Sequence, residues 1–170
     1  LPPLLLHALI SGTSQHLRTW QMSMPPALLG TFYFNFIASH DGIGLRPAEG
    51  LLDEQEIDQL VTVLEQSGAK ISYRTADEGK LKPYEINSTL YDALHCTLNG
   101  ADEWQLERYL CTQTIMFALE GIPGIYIHSM LGTNNYLEGV EKTRQNRTIN
   151  RYKWPIDELN EELSNPQSHH

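Results

Sequence analysis

Residues 31–44 read Thr-Phe-Tyr-Phe-Asn-Phe-Ile-Ala-Ser-His-Asp-Gly-Ile-Gly. The segment from Thr31 to Ser39 is dense in aromatic and β-branched residues and lies between glycines, which predicts a largely buried strand. His40 and Asp41 follow it directly. In parallel α/β folds the carboxyl end of a strand is where active sites lie. The stretch therefore predicts an α/β fold with a candidate site at His40 and Asp41.

The same two residues also suit a purely structural role. Asp41 can cap a neighbouring amide in a strand-ending turn, and His40 can be an ordinary satisfied polar residue. Spacing alone does not separate the two interpretations.

Helical periodicity follows the predicted strand. Ile57, Leu60, Val61 and Leu64 recur at helical spacing, and Asp53 with Glu56 forms a capping-box start. The other predicted helices are one or two short ones within Leu4–Met24, a long one over Asp102–Leu119 and a last one over Ile156–Leu163. The long helix is expected to bury Trp104, Tyr109, Leu110 and residues 115–119. A second short strand is predicted over Ile125–His128, a mobile polar loop over Ser72–Pro83, and a long irregular stretch over Met130–Trp154.

The order strand, helix, loop, helix, strand indicates an α/β fold with parallel strands joined by helical crossovers. Two strands cannot close a sheet. A complete (β/α)8 barrel takes about 250 residues, so a chain of 170 residues is predicted to form part of a barrel, at its end.

Composition narrows the function classes. Twelve Lys and Arg against twenty-one Asp and Glu give a net charge of -9, which disfavours nucleic acids and anionic lipid surfaces. No apolar run has the length of a membrane span, and the first ten residues do not resemble a signal peptide, so we expect a cytoplasmic protein. Cys96 and Cys111 are expected to be reduced, buried thiols.

Two polar segments are further candidates. Asn146–Arg151, preceded by Lys142 and Arg144, places cations after a predicted strand, where guanidinium groups can bind carboxylates or phosphates. A solvated surface with local ion pairs is the alternative. The segment Asp77–Asn87 has the composition of a lid or acceptor loop, or of a plain mobile loop. His7, His16, His95 and His128 lack a ligand spacing, so no metal site is expected.

Four blocks of sequence together resemble one family. They are Asn35–Gly44, Tyr84–Thr89, Gly121–Tyr126 and Asn146–Arg151. In this order they resemble the C-terminal part of the catalytic domain of sucrose phosphorylase-like enzymes in glycoside hydrolase family 13, the α-amylase superfamily. Residues 127–132 and 147–151 look closer to the glucosylglycerate phosphorylase-like members.

The resemblance implies that residues 1–170 are the end of a (β/α)8 barrel, with Thr31–Ser39 as strand seven and Ile125–His128 as strand eight. It implies a retaining mechanism with an aspartate nucleophile and a glutamate acid/base that would precede Leu1. Asp41 matches the family's third, transition-state-stabilising carboxylate, and His40 its sugar-binding histidine. Arg147 matches an arginine that closes the glucose pocket by pairing with an aspartate outside this chain.

The acceptor side shows departures from the family pattern. Tyr84 matches a tyrosine of the mobile acceptor loop, whereas Lys82 and Glu85 replace a usual aspartate and glutamine at positions that would touch fructose. Sucrose as the substrate is therefore in doubt, and Lys82 suits a phosphorylated or carboxylated acceptor. The resemblance implies a glucoside and inorganic phosphate as co-substrates, with no metal or organic cofactor.

The sequence thus predicts a glycosyltransferase of phosphorylase type, of which this chain alone is inactive. A hydrolase or transglucosylase of the same superfamily and a non-catalytic sugar-binding barrel remnant are the alternatives. Because a partial barrel exposes strand edges and apolar faces, we also expect the chain to associate with itself or with the rest of the barrel.

Overall fold

The computed structural model describes residues 1–76 and 79–170 as a mixed α/β structure. The helices are α1 (Pro2–Ser11), α2 (Gln15–Ser23), α3 (Glu54–Gln66), α4 (Leu90–Ala93), α5 (Gln105–Ala118), α6 (Ile127–Met130), α7 (Leu137–Thr143) and α8 (Ile156–Ser164), with 3₁₀ helices at Arg46–Ala48 and Asn146–Asn150. The strands are β1 (Phe34–Asn35), β2 (Ile43–Gly44), β3 (Lys70–Thr75), β4 (Leu81–Asn87), β5 (Cys96–Thr97), β6 (Gly100–Ala101) and β7 (Ile122–Pro123).

The predicted strand over Thr31–Ser39 is much shorter and less buried than its composition indicates. Only Phe34 and Asn35 form β1, which pairs in parallel with β7. The rings of Phe32, Phe34 and Phe36 are exposed, while Ile37 is buried. The expectation of a largely buried strand was wrong because, among the described residues, β1 pairs only with β7 and the neighbouring phenylalanine rings stay exposed.

The predicted loop over Ser72–Pro83 is mostly an antiparallel hairpin. Strands β3 and β4 pair from Lys70 with Asn87 to Thr75 with Leu81, and β2 adds to the other side of β4. The register shifts between Ser72 and Tyr73, opposite the stretch that holds Pro83. This bulge interrupts the two-residue alternation and accommodates a proline in a strand, so the pattern looked like a loop. Asp77 and Glu78 of the predicted loop lie outside the described residues.

Helix α3 confirms the prediction made from its capping box. Asp53 Oδ1 accepts from the Glu56 amide at 2.8 Å, and Glu56 Oε2 accepts from the Asp53 amide at 2.9 Å. Gly68 follows with φ of 88°, in the left-handed region. Apolar side chains of α3 pack against the buried residues of α1, and together they form much of the core.

The second long helix was also predicted, but its buried face was only partly right. Tyr109 and Met116 are buried, as is Thr112, whereas Trp104 and Leu110 are exposed. The exposed side of α5 is a further apolar surface, like the aromatic face of β1.

The region after α5 corrects a second strand prediction. The strand is β7 at Ile122–Pro123, and the predicted strand residues Ile127 and His128 begin α6 instead. The Gly124 amide still donates to the Asn35 carbonyl at 2.7 Å, after which the chain leaves the sheet. Helix α7 and a 3₁₀ helix lie within the stretch predicted to be irregular, and α8 confirms the last predicted helix.

Helix α1 lies deep in the structure. Leu4, Leu5, Leu6 and Ile10 are almost fully buried. No helix among the described ranges 1–76 and 79–170 has both the length and the apolar character to cross a lipid bilayer.

Candidate active site

The turn that follows β1 is held from two directions. Glu85 of β4 accepts a hydrogen bond from the Gly42 amide at 2.9 Å. From the end of the 3₁₀ helix Asn146–Asn150, Asn150 Nδ2 donates to the Asp41 carbonyl at 3.2 Å, and Arg151 Nε donates to the His40 carbonyl at 3.1 Å. The backbone of His40 and Asp41 is thus fixed by side chains more than a hundred residues away in sequence.

Glycine is required at position 42 by space. A Cβ built there would lie 2.6 Å from both Glu85 Cγ and the Ile86 carbonyl oxygen. Contacts that short do not occur in folded proteins, and the carbonyl belongs to the central strand of the antiparallel sheet. Gly42 therefore lets the turn approach β4 closely enough for its amide to reach Glu85.

The Asp41 carboxylate is partly exposed and lies between two guanidinium groups. Arg147 Nη1 is 3.3 Å and Arg151 Nη2 is 3.1 Å from Asp41 Oδ1. His40 Nε2 lies 3.6 Å from the other oxygen. With 37% of its side chain exposed, Asp41 remains accessible to a ligand while its orientation is set by cations.

Glu85 and Arg147 form a two-point ion pair beneath this carboxylate. Arg147 Nε and Nη2 donate to Glu85 Oε1 and Oε2 at 2.9 and 3.0 Å. The Glu85 side chain is only 5% exposed. The hydrogen bond between Arg147 and Glu85 and the negative charges of Glu85 and Asp41 raise the pKa of the Arg147 guanidinium above its usual value. A bidentate pair of this kind fixes the plane of the guanidinium group.

Tyr84 lies beside this cluster, and Lys82 does not. The Tyr84 side chain is exposed and close enough to contribute to the raised pKa of Arg147. Lys82 Nζ instead pairs with Glu54 Oε1 of α3 at 2.7 Å. Lys82 lines a cavity of about 680 Å³ together with Glu49, Arg74 and Lys80.

Three further residues belong to the site that had no individual role in the sequence analysis. Asn150 and Arg151 hold the turn and the carboxylate. Tyr126 donates its hydroxyl to the Asn150 carbonyl. Burial raises the pKa of Tyr126, while the charge of Arg151 opposes that effect. Asn150 and Arg151 stood in the predicted cationic segment, but only the fold shows which of its side chains face Asp41.

The site therefore unites His40, Asp41, Glu85 and Arg147, with Tyr84 alongside, as one polar cluster. Carboxylates and guanidinium groups in this arrangement can bind sugar hydroxyls, and the exposed edges of the two arginines can bind an anion. A fixed carboxylate can also stabilise positive charge that develops on a sugar ring.

The chain is similar to known proteins over nearly its whole length. No family model matches the chain. The crystal structure of sucrose 6F-phosphate phosphorylase from Thermoanaerobacter thermosaccharolyticum matches 97% of this chain and 32% of its own, with a TM-score of 0.82 and 28% identity. The mixed α/β fold thus corresponds to part of a carbohydrate phosphorylase.

Curated sequences extend this result. Glucosylglycerate phosphorylase of Escherichia coli (strain K12) is 43% identical over 164 residues, which cover 96% of this chain and 29% of that protein. Sucrose phosphorylase of Bifidobacterium adolescentis is 30% identical over 98% of this chain and 32% of its own length. The chain belongs to the sucrose phosphorylase family of glycoside hydrolase family 13, and it spans about 30% of the length of these relatives.

Proposed function

We propose that this chain is the glucose-binding part of the barrel of a retaining α-glucoside phosphorylase. The full enzyme would convert a glucoside and inorganic phosphate into α-glucose 1-phosphate and the free acceptor. The observation that carries this proposal is the Asp41 carboxylate, held between Arg147 and Arg151 on a turn that Glu85 and Asn150 fix. The names of the relatives, which are phosphorylases, support the reaction class.

In this proposal β1 and β7 belong to the last two units of the barrel, corresponding to strands seven and eight. Their parallel pairing supports that assignment. The nucleophile and the general acid/base would come from earlier barrel units. Because both groups make or break bonds, the 170 residues alone should be inactive.

Each residue of the site then has its own role. Asp41 would hold hydroxyls of the glucosyl ring and stabilise its oxocarbenium-like transition state. His40 would donate to or accept from the same sugar. Arg147, oriented by Glu85, would close the glucose pocket, and Glu85 would act there as a positioning residue as well as a predicted acceptor contact.

For the acceptor we propose glycerate, because three relatives that are 43%, 41% and 37% identical to this chain are named glucosylglycerate phosphorylases. Tyr84 and Lys82 remain the predicted acceptor contacts. Lys82 is paired with Glu54, so an acidic acceptor would have to compete with that carboxylate. A cytoplasmic location stays part of this proposal, as does association of the chain with the remainder of its barrel.

The test is phosphate release from α-glucose 1-phosphate by the longer protein that contains this chain. Glycerate, glycerol, fructose and fructose 6-phosphate are offered in separate reactions. We expect release that depends on glycerate, and Asp41→Asn should lower kcat by about 10²-fold or more, a loss typical of removing a group that stabilises the transition state.

Each other outcome points elsewhere. Release that is equal with and without acceptors means hydrolysis. Release with another acceptor keeps the phosphorylase and corrects the acceptor. No release of phosphate by a folded protein favours a sugar-binding remnant. Release by the 170-residue chain alone would overturn the proposal that the nucleophile and the acid/base come from earlier barrel units.

A further inference from the structure

Three side chains from three helices meet outside the Asp41 site. They are His7 of α1, His16 of α2 and Glu56 of α3. His16 Nε2 lies 2.8 Å from Glu56 Oε1, and His7 Nε2 lies 3.7 Å from the same oxygen. Their candidate ligand atoms all lie within 4.8 Å of one another.

These distances suit a small divalent cation. Zinc binds imidazole nitrogen and carboxylate oxygen at about 2.0–2.2 Å, so neighbouring ligand atoms of a tetrahedral site lie roughly 3.3 Å apart. The two separations from Glu56 Oε1, 2.8 and 3.7 Å, lie on either side of that spacing, and the two histidine nitrogens lie within 4.8 Å of each other. Two imidazoles and one carboxylate with an open fourth position form a known type of zinc donor set.

His7 is the residue that points most clearly to a ligand. Its side chain is 6% exposed, its Nδ1 is buried without a hydrogen-bond partner, and its Nε2 is 3.7 Å from Glu56. The 3.7 Å between His7 Nε2 and Glu56 Oε1 is too long for a hydrogen bond. The nitrogen that faces Glu56 is Nε2, and a cation bound there would give this buried ring a ligand bond on the side of the cluster, while Nδ1 points away from it.

The protonation states also suit metal binding. Burial lowers the pKa of His7, against an opposing effect of the Glu56 charge, so the ring is neutral near pH 7. Burial alone would raise the pKa of Glu56, but hydrogen bonds from the Asp53 amide and His16 outweigh it and hold the pKa below its usual range. Glu56 uses Oε2 for the helix cap, which leaves Oε1 for the cluster.

Solvent can reach the cluster. The side chains of His16 and Glu56 are 25% and 26% exposed, while His7 lies behind them. A cation can therefore enter from the side of α2 and keep a water molecule as its fourth ligand. We propose that His7, His16 and Glu56 form a Zn²⁺ site that joins α1 and α2 to the first turn of α3.

The test is calorimetric titration of the tag-free 170-residue chain with ZnCl₂. All proteins carry His169→Gln and His170→Gln, because these adjacent histidines could bind zinc themselves. We expect one Zn²⁺ per chain, a raised Tm when zinc is added, and the visible absorption of four-coordinate cobalt when Co²⁺ replaces it.

Two variants test the assignment without disturbing the core. Glu56→Gln keeps an oxygen for the helix cap, since Gln serves at that position, and His16→Gln changes a partly exposed side chain. Each should weaken zinc binding by more than the roughly 10- to 100-fold that loss of an outer-shell partner costs. His95→Gln, at an exposed histidine, is the matched control and should leave the affinity unchanged.

The competing explanation is a proton-sharing contact between helices without metal. Unchanged zinc affinity in both variants, or no zinc binding by a chain that shows a cooperative thermal transition, would overturn the site. A cobalt spectrum of six-coordinate type would overturn the tetrahedral zinc assignment. Binding that is lost in Glu56→Gln and His16→Gln, but kept in His95→Gln, supports it.

Discussion

Two ion pairs on strand β4 have nearly the same length and different surroundings. Lys82 and Glu54 are 2.7 Å apart with side chains 46% and 84% exposed. Arg147 and Glu85 are 2.9 Å apart with side chains 49% and 5% exposed, so the two pairs differ in the burial of the carboxylate. Water screens the first pair, so its contribution to stability is small. In the second pair the buried Glu85 carboxylate accepts hydrogen bonds from both the Gly42 amide and Arg147. Glu85 therefore determines where the Asp41 turn lies.

The largest expected effect is that of Glu85→Ala. It removes the acceptor of the partly buried Gly42 amide and of the half-exposed Arg147, so we expect the free energy of unfolding to fall by up to about 3 kcal/mol, chiefly through the unpaired amide. Urea unfolding of the chain measures this. Glu85→Gln keeps one acceptor oxygen and should cost less. A fall no larger than that of the exposed control Glu54→Ala would contradict the comparison.

Gly42→Ala tests the close approach of the turn to β4. One of the three close contacts that a Cβ at position 42 would make is with the Ile86 backbone carbonyl, which cannot rotate away. We expect the free energy of unfolding to fall by about 2 to 3 kcal/mol, the upper part of the range for overpacking. Gly44→Ala is the control two residues away, because its Cβ would meet nothing nearer than Pro47 Cδ at 3.9 Å. Equal stability of the two variants would show that the turn can move.

Tyr109 extends the contrast between buried and exposed groups to pH. Burial raises its pKa from 10 to about 12. The folded state favours the neutral Tyr109 phenol. Its contribution to the free energy of unfolding is therefore full below pH 10 and is lost as the pH rises through about 12. Two pKa units correspond to at most about 3 kcal/mol of stability over that window.

Urea unfolding between pH 8 and pH 12 tests the Tyr109 prediction. The stability advantage of the parent chain over Tyr109→Phe should shrink across pH 10 to 12. Tyr73→Phe, at an exposed ring, is the control for loss of a phenol hydroxyl without burial. An advantage that stays constant with pH would remove the burial argument for Tyr109.

The smallest expected effect belongs to the exposed pair. Lys82→Met removes the contact with Glu54, yet we expect no measurable shift in the urea midpoint, because both side chains are largely in water. The same titrations measure it. A shift comparable with that of Glu85→Ala would mean that distance, and not burial, decides the strength of these pairs.

The sequence predicted most of the long helices and the residue types of the site. The capping box at Asp53 and the periodicity of α3 needed only local information, since a helix satisfies its own backbone. The four blocks around Asp41, Tyr84, Gly121 and Arg147 were sufficient for the family. These features depend on residues that are close in sequence or on the order of motifs.

The strands were harder, because a strand depends on partners that the sequence does not place beside it. The aromatic run around Phe34 predicted a buried strand, but among the described residues it has one neighbour and exposed rings. The hairpin β3–β4 was hidden by its bulge and by Pro83. Local composition indicates a tendency to form strands, and pairing decides whether one exists.

By itself the sequence determined the family, the ends of α3 and the candidacy of Asp41, because these follow from motifs and local periodicity. Only the tertiary structure decided that Glu85 lies beneath Arg147, that Arg151 faces Asp41 and that Lys82 faces Glu54. It also brought His7, His16 and Glu56 together from three helices, although their spacing indicated no such cluster. The physical reason is that hydrogen bonds and ion pairs depend on distances in space, which chain folding sets between residues far apart in sequence.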